Sequence, residues 1–282
     1  VEKEGGVSGT LSDALEIVLR TDTGRVREHN EDAVFANPHL GFVVLADGMG
    51  GYNAGEVASS MATTRLASEL ESALAARAPH ATDGPGGEAF AGQCLRDAVA
   101  DANAAIFQAA QDEAGYAGMG TTLVAALFFD DRVAVAHVGD SRLYRLRDGT
   151  LSLLTHDHSL LQEQIDSGLL SAEEARHSLN RNLVTRALGV DPLVEVDLAE
   201  HLVLPDDLYL LCSDGLNDMV PDEEIALALQ TLSGNLELAA TQLGEMANDQ
   251  GGRDNVSVIL VKVRQAYPAP GTWWQAFKAR FG

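Results

Sequence analysis

Four short segments place an aspartate beside glycine or asparagine, next to an apolar run that has the length of a β-strand. Three of these segments follow such a run and the last precedes one, so each carboxylate is expected at the end of a strand. Carboxylates brought together in this way repel one another strongly unless cations lie between them. Oxygen ligands of this kind favour Mg²⁺ or Mn²⁺ over zinc or copper. The segments are Asp47-Gly48-Met49-Gly50-Gly51, Val138-Gly139-Asp140-Ser141-Arg142, Ser213-Asp214-Gly215 and Gly252-Arg253-Asp254-Asn255.

The order and wording of these segments resemble the protein phosphatase 2C family, the metal-dependent Ser/Thr protein phosphatases, in their compact bacterial form. The resemblance runs from about Arg20 to Lys262. Any one motif is weak evidence, whereas eight in the same order are specific. Beyond the four segments above, the resemblance includes residues 21–32 (TDTGRVREHNED), 120–122 (GTT), 157–159 (DHS) and 185–189 (TRALG).

The resemblance implies a centre of two Mn²⁺ or Mg²⁺ ions, which would activate water and neutralise charge on a phosphoryl group. Asp47 would bridge the ions, and the carbonyl oxygen of Gly48 would be a ligand to one of them. Asp214 and Asp254 would hold the other. Glycine at position 48 is consistent with a backbone that approaches an ion closely.

Two more aspartates have implied roles. Asp32 is similar to the family residue that orients metal-bound water. Asp140, together with Asp214, resembles the third and weaker metal site of bacterial members. The alternative for Asp140 is that Gly139-Asp140-Ser141 only caps a turn.

Two arginines are candidates to bind the substrate phosphate, because a guanidinium presents parallel N–H donors to phosphate oxygens. Arg25 and Arg27 are two residues apart, so on a strand both would face the same side. Spacing therefore leaves the choice open, and the family pattern favours Arg27.

The general acid that protonates the leaving group is not assigned. Animal members of the family carry a histidine after the first Asp-Gly pair, whereas this chain has Met49, as bacterial relatives commonly do. Metal-bound water is one alternative. His137 is a weak second candidate, since strand alternation would also allow it to be buried.

Three other functions are less consistent with the sequence. A cysteine phosphatase needs an arginine six positions after its nucleophile, but Cys94 is followed there by Ala100 and Cys212 by Asp218. A structural calcium protein would carry a twelve-residue EF-hand loop, which is absent. A non-catalytic adaptor or sensor on the same fold remains the alternative function, although such a relative would be expected to have lost at least one of the candidate site residues.

Composition bounds the partners and the compartment. The 282 residues include 19 basic and 42 acidic side chains, a formal charge of −23 that disfavours nucleic acid and anionic membranes. Two cysteines inside apolar runs suit a reducing compartment, so a cytoplasmic protein is expected. The expected partners are phosphorylated proteins, substrates of a cognate Ser/Thr kinase. Membrane contact is expected only through residues 273–281, whose aromatic and basic side chains suit an interface.

Periodicity predicts an α+β fold. Strands are predicted at residues 15–20, 42–46, 121–129, 132–138, 142–147, 150–154, 194–196, 208–212 and 256–263. Helices are predicted at 55–77 and 87–113, with two more within 221–250. Asp130-Asp131 and Asp148-Gly149 predict two-residue hairpin loops, which imply antiparallel sheets. The family resemblance sharpens this to a four-layer α-β-β-α sandwich with the metals in a cleft at one edge.

The domain prediction is a disordered segment at 1–13, a catalytic domain at 14–265 and a tail at 266–282. A polar, helical flap is predicted at about 156–188, where it interrupts the run of strands. The tail has two interpretations: a short helix that binds a membrane interface or a partner, or a segment that folds back onto the domain.

Overall fold

The computed structural model describes residues 11–51, 53–82, 87–171, 174 and 183–268. Within these ranges the strands are, in chain order, β1 (Leu15–Asp22), β2 (Asp32–Asn37), β3 (Phe42–Met49), β4 (Gly120–Thr121), β5 (Leu123–Phe129), β6 (Arg132–Val138), β7 (Arg142–Arg147), β8 (Thr150–Leu153), β9 (Asp197–Leu202), β10 (Leu208–Cys212) and β11 (Val256–Val263). The helices are α1 (Leu11–Ala14), α2 (Ala54–Ala76), α3 (Phe90–Asp112), α4 (Leu160–Asp166), α5 (Asp214–Asn217), α6 (Asp222–Leu232) and α7 (Leu236–Asp249).

The strands form two antiparallel sheets. One has the order β1-β11-β10-β7-β8, and the other has the order β2-β3-β5-β6-β9 with β4 paired to β3. A buried layer that includes Leu45, Phe128 and Tyr209 joins the two sheets face to face. Helices α2 and α3 cover the outer face of the second sheet, and α6 and α7 cover the outer face of the first. The predicted α+β four-layer sandwich is confirmed.

The two predicted hairpin loops are confirmed, and their backbone dihedral angles explain why they can be predicted from the sequence. Asp130 and Asp131 have φ values of 45° and 54°, and Asp148 and Gly149 have φ values of 50° and 75°. Two successive positive φ values are the mark of the type I′ turn, whose twist matches that of the flanking strands. Aspartate and glycine tolerate this conformation better than other residues do.

The edge strands are where the prediction differs from the structure. Strand β2 was not predicted, and the strand expected at 194–196 is wrong, because the strand lies at Asp197–Leu202 instead. Val194 and Val196 are apolar because they pack against the helical layer from a loop. Strand β9 is formed by backbone pairing with β6, and it is mostly exposed, so its sequence has no apolar run.

The ends of the chain and the flap are described only in part. Residues 11–13 are helical rather than disordered, and residues 1–10 lie outside the described range. Tyr267 folds against the domain, where its backbone N–H donates to Asp131 Oδ1 at 2.6 Å. Residues 269–282, which carry Trp273, Trp274, Phe277 and Phe281 of the predicted tail, lie outside the described residues, as do 172, 173 and 175–182 of the flap. None of the described helices combines the length and apolarity needed to cross a membrane.

Candidate metal centre

A cavity of about 190 Å³ lies where the two sheets meet at one edge of the sandwich. Both sheets contribute to it: β3 carries three of its residues, the loop after β6 and helix α5 carry one each, and another precedes β11. Six of the seven predicted site residues therefore lie in one wall. These are Arg27, Asp47, Gly48, Asp140, Asp214 and Asp254.

Asp32, the seventh predicted residue, lies directly behind this wall. It pairs with Asp47 across β2 and β3. Its Oδ2 accepts a hydrogen bond from Ser213 Oγ at 2.8 Å, and Ser213 Oγ in turn accepts one from the Ser257 N–H at 3.0 Å. Asp32 thus joins the second sheet to the first immediately behind the cavity.

The carboxylates of the cavity are held in an environment that disfavours their charge. Burial raises the pKa of Asp47 and Asp214 well above the ordinary value, and neighbouring aspartates raise both further. Burial also raises the pKa of Asp32 to about 6. The pKa of Asp140 rises to about 7 because of burial and of repulsion from Asp157 and Asp218. The site is therefore electrostatically costly without a compensating positive charge.

The donor chemistry fits hard cations. The buried oxygens Asp32 Oδ1, Asp214 Oδ1 and Glu31 Oε1 have no hydrogen-bond partner among the described residues. Buried carboxylate oxygens normally accept a hydrogen bond, so these three unpartnered oxygens are consistent with a cation bound nearby. The wall of the cavity contains no imidazole or thiolate among the described residues, which agrees with Mg²⁺ or Mn²⁺.

The side chains do not by themselves form a closed cage. Within the described part of the chain, no three Asp, Glu, His or Cys side chains converge closely enough to hold one ion. In addition, Asp254 Oδ2 accepts a hydrogen bond from Arg27 Nη2 at 2.6 Å. Mg²⁺ usually keeps several waters and takes only one or two carboxylates, so an open set of this kind suits it.

Glycine at position 48 has a packing reason in this structure. A Cβ atom there would collide with the carbonyl oxygen of Gly55 in α2 and would also lie 2.6 Å from the carbonyl oxygen of Glu31. The Gly48 N–H donates to that same Glu31 oxygen at 3.1 Å. The end of β3 can therefore approach helix α2 closely only without a side chain.

The structure separates the two candidate arginines. Arg27 lines the cavity, and its side chain is 50% exposed. Arg25 does not line the cavity; its backbone N–H donates to the carbonyl oxygen of Gly252 at 2.7 Å, and its side chain lies against that glycine. Only Arg27 is brought to the aspartates.

Two motifs contain supporting residues that sequence reasoning did not identify. The Thr122 hydroxyl accepts a hydrogen bond from the Asp47 N–H at 3.1 Å, and the Thr121 hydroxyl donates to the Asp47 carbonyl oxygen at 2.8 Å. Asn255 Oδ1 accepts from the Glu31 N–H at 2.8 Å, and its Nδ2 donates to the carbonyl oxygens of Thr23 and His29 at 2.9 Å each. Asn255 thereby holds both ends of the loop that carries Arg27. The only signal in the sequence was the position of these residues inside motifs.

His137 is not suited to be the general acid. It is buried, it does not line the cavity, and its ring lies tilted by 35° against that of His158, with centroids 4.9 Å apart. Burial lowers the pKa of His137 to about 4, and neither ring nitrogen has a hydrogen-bond partner among the described residues. Met49 does line the cavity but carries no exchangeable proton.

A four-layer sandwich with an aspartate-lined cavity between its sheets, and an arginine at the rim, defines a class of metal-dependent hydrolases. Within that class, the chain belongs to the protein phosphatase 2C family, whose model matches residues 23–247.

Relatives of known name or structure agree with this membership. The Ser/Thr phosphatase stp of Listeria monocytogenes is 41% identical over 250 residues, which cover 86% of this chain and 94% of that protein. The crystal structure of the Ser/Thr phosphatase PstP of Mycobacterium tuberculosis is 40% identical, covers 89% of this chain and all of the solved chain, and superposes with a TM-score of 0.79. The PstP catalytic domain has also been solved with two manganese ions, and it is 40% identical with a TM-score of 0.77 over 89% of this chain and 99% of that one.

Proposed function

We propose that this protein is a metal-dependent Ser/Thr protein phosphatase that hydrolyses phosphoserine and phosphothreonine with two Mn²⁺ or Mg²⁺ ions. The observation that carries the proposal is the cavity in which Arg27 and four buried or half-buried aspartates face one another. Its relatives are named Ser/Thr phosphatases, and one of them has been solved with two manganese ions.

Four positions would hold the two ions. The Asp47 carboxylate would bridge them, the Gly48 carbonyl oxygen would complete one site, and Asp214 and Asp254 would complete the other. Ions held there would supply an activated water and would neutralise charge on the phosphoryl oxygens. Asp140 would contribute to a third and weaker site together with Asp214.

Arg27 would bind the substrate phosphate through parallel N–H donors. In this structure its guanidinium donates to Asp254, so it already lies at the rim of the cavity. When phosphate enters, Arg27 would exchange the carboxylate for the phosphate oxygens.

Asp32 would orient the attacking water. Its Oδ2 is fixed by Ser213, whereas its Oδ1 is buried and has no donor among the described residues. Asp32 Oδ1 is the atom that would accept a hydrogen bond from the water.

The substrates would be proteins phosphorylated by a Ser/Thr kinase, and the compartment would be the cytoplasm. Cys94 and Cys212 are both free and buried, which suits a reducing environment. The alternative function, a non-catalytic adaptor, is disfavoured because each predicted site residue is present and six of the seven share one cavity wall.

The test is phosphate release from a phosphothreonine peptide, measured with Mn²⁺ and with EDTA. We expect release with Mn²⁺, loss in EDTA and recovery when Mn²⁺ is returned. Release that is indifferent to chelator would overturn the metal-dependent mechanism, and metal binding without any release would favour the adaptor.

A further inference from the structure

The loop between β6 and β7 carries Asp140, which is buried and lines the aspartate cavity. Its two neighbours are both fixed against Thr122. Ser141 Oγ shares a hydrogen bond of 2.7 Å with Thr122 Oγ1, and a Cβ atom at Gly139 would lie 2.7 Å from the Thr122 side chain. Gly139 also has a φ of 109°, which other residues rarely adopt. The position of Asp140 therefore depends on the contacts that its neighbours make.

His158 bonds to Gly139 twice. The His158 backbone N–H donates to the Gly139 carbonyl oxygen at 2.7 Å, and the His158 ring Nδ1 accepts a hydrogen bond from the Gly139 N–H at 3.0 Å. Both residues are buried, and a buried backbone N–H without an acceptor is costly. Any residue at position 158 could make the backbone bond, so the acceptor for the Gly139 N–H is what the imidazole adds.

The surroundings of the ring favour the tautomer that this bond needs. Because Nδ1 accepts a hydrogen bond, the proton of the neutral ring is on Nε2. His158 Nε2 lies 3.3 Å from Asp197 Oδ2, which can accept that proton in a hydrogen bond. Arg186 Nη1 also lies 3.0 Å from Nε2, but it has acceptors in Asp197 Oδ1 at 2.8 Å and in the Glu195 carbonyl oxygen at 3.4 Å. Asp197 therefore orients the ring so that Nδ1 faces Gly139.

An ion pair fixes the segment that carries His158. Arg142 Nε donates to both carboxylate oxygens of Asp157 at 3.0 Å, and Arg142 Nη2 donates to Asp157 Oδ2 at 2.6 Å. This pair joins the motif at residues 138–142 to the motif at 157–159. The second motif has no part in the hydrolysis proposed above, and in the structure it is attached to the loop that carries Asp140.

We propose that His158 is a positioning residue for Asp140: its ring accepts the Gly139 N–H and thereby places the Asp140 carboxylate for the third and weaker metal site. The inference rests on the proposed function, because it requires Asp140 to contribute to that site. His158 does not line the cavity, so it acts through Gly139 and not on an ion or the substrate directly.

A buried histidine could instead serve only the fold. The His158 carbonyl oxygen accepts a hydrogen bond from the Thr185 N–H at 2.8 Å, and its ring lies against that of His137. Loss of the ring would therefore cost stability in either case. Two amide replacements separate these roles. The side-chain oxygen of asparagine can occupy the position of Nδ1, whereas the longer glutamine reaches the position of Nε2, so only His158→Asn keeps an acceptor for Gly139.

The first test measures binding of the weak Mn²⁺ ion without substrate, from the free Mn²⁺ signal in electron paramagnetic resonance. We expect His158→Ala and His158→Gln to weaken this site about tenfold, the scale of one lost buried hydrogen bond, and to leave the two tight ions unchanged. His158→Asn should bind the weak ion within about twofold of wild type. In an Asp140→Ala background, His158→Ala should have no further effect on the turnover of a phosphothreonine peptide.

The second test uses the metal-free protein. A long-range ¹H–¹⁵N spectrum of the imidazole groups in EDTA should show His158 as the Nε2–H tautomer, and thermal melts check that each variant is folded. An Nδ1–H tautomer, a weak site in His158→Gln that equals that of wild type, or an equal loss in His158→Asn and His158→Gln would overturn the proposal.

The two tests also separate this proposal from the proposed function. If the variants show the expected Mn²⁺ binding but the wild-type protein does not hydrolyse the peptide, the phosphatase function fails and the positioning of Asp140 holds. If the wild-type protein hydrolyses the peptide and His158→Gln keeps the full rise in activity at millimolar Mn²⁺, only the positioning role fails.

Discussion

Asp47 is costly for the fold, and in the proposed mechanism it would be necessary for the chemistry. Its backbone is fixed on both sides by Thr121 and Thr122, so its carboxylate is held among Asp32, Asp140, Asp214 and Asp254. Burial and these neighbours raise its pKa well above the ordinary value. A cation would bind the ionised carboxylate, and this is the form that the metal-free fold disfavours.

Replacing Asp47 with asparagine should abolish turnover, because a neutral amide cannot bridge two dications. In EDTA the same change should stabilise the protein at pH 8. The raised pKa means that native Asp47 binds its proton more tightly than unfolded Asp47, so wild-type stability falls as pH rises from about 4 through the native pKa. Asparagine does not titrate and escapes this loss.

Thermal melts of both proteins in EDTA, at pH 5 and pH 8, check this. We expect the melting temperature of Asp47→Asn to exceed that of wild type at pH 8 by at least about 2 °C, the shift of roughly 1 kcal/mol in a domain of this size. The gap should narrow at pH 5, because only the part of the loss between about pH 4 and pH 5 has then occurred. An equal gap at both pH values would mean that the effect is not due to ionisation.

Arg27→Ala should mainly weaken substrate binding, because the guanidinium contacts phosphate in both the ground and transition states. We expect KM to rise about tenfold or more, with a smaller change in kcat. Mn²⁺ affinity should be kept or increased, since Asp254 loses the competing guanidinium. Arg25→Ala is the control and should leave KM unchanged. If kcat of Arg27→Ala instead collapses at constant KM, Arg27 contacts the phosphate only in the transition state.

Asp140→Ala separates a metal ligand from a turn cap. If Asp140 helps to hold a third ion, the variant should keep a native-like melting temperature and two tightly bound ions but lose most activity on phosphopeptides. The rise in activity at millimolar Mn²⁺ should vanish with it. Calorimetric titration of Mn²⁺ and thermal melts distinguish the two roles. If the metal dependence is unchanged and the free energy of unfolding falls by about 1 kcal/mol, Asp140 is only a turn cap.

At the scale of elements, the site depends on loops that are held from far away in the chain. Asn255 precedes β11 and makes three hydrogen bonds to the loop between β1 and β2, which carries Arg27. A buried amide with three partners leaves several backbone groups unsatisfied when it is removed. The loop would then lose its attachment at both ends.

We expect Asn255→Ala to lower the free energy of unfolding by about 1–3 kcal/mol and also to raise KM, because Arg27 is no longer positioned. Glu28→Ala is a suitable control within the same loop, since its side chain is exposed. Denaturant unfolding together with steady-state kinetics checks both effects. A loss of stability without any change in KM would show that the loop does not need Asn255 to place Arg27.

An element can be predicted from the sequence when adjacent residues determine it, and not when it depends on partners far away in the chain. The hairpin at Asp148-Gly149 depends on two adjacent residues that tolerate positive φ, so it is visible locally. Strand β9 depends on backbone pairing with β6, 60 to 70 positions earlier, and its mostly exposed side chains show no regular alternation. The candidate metal-binding aspartates are suggested by sequence motifs, whereas the roles of Thr122 and Asn255 depend on partners 75 and 224 positions away.

At the scale of the molecule, the candidate ligands come from both sheets, so ions bound among them would tie the two halves together. A ligand that binds only the native state stabilises it by about 2.7 kcal/mol at one hundred times its dissociation constant. In a domain of this size that corresponds to a rise of roughly 5–10 °C in melting temperature.

We therefore expect Mn²⁺ to raise the melting temperature at pH 8 by about that amount and EDTA to remove the gain. Asp47→Asn should show little of this gain, and Arg25→Ala should show all of it. A wild-type melting temperature that does not respond to Mn²⁺ would exclude a metal centre that bridges the sheets.

The pairing of β1 with β11 gives the domain one more property. These two strands are antiparallel neighbours in which Leu15 faces Val263, and the Arg264 N–H donates to the Ala14 carbonyl oxygen at 2.7 Å. The first and last strands thus begin and end side by side, far along the chain but a few ångströms apart in space. Such a domain suits circular permutation: a short glycine-rich linker could join residue 264 to residue 14, and new termini could open at the exposed Asp148-Gly149 turn while every strand keeps its neighbours.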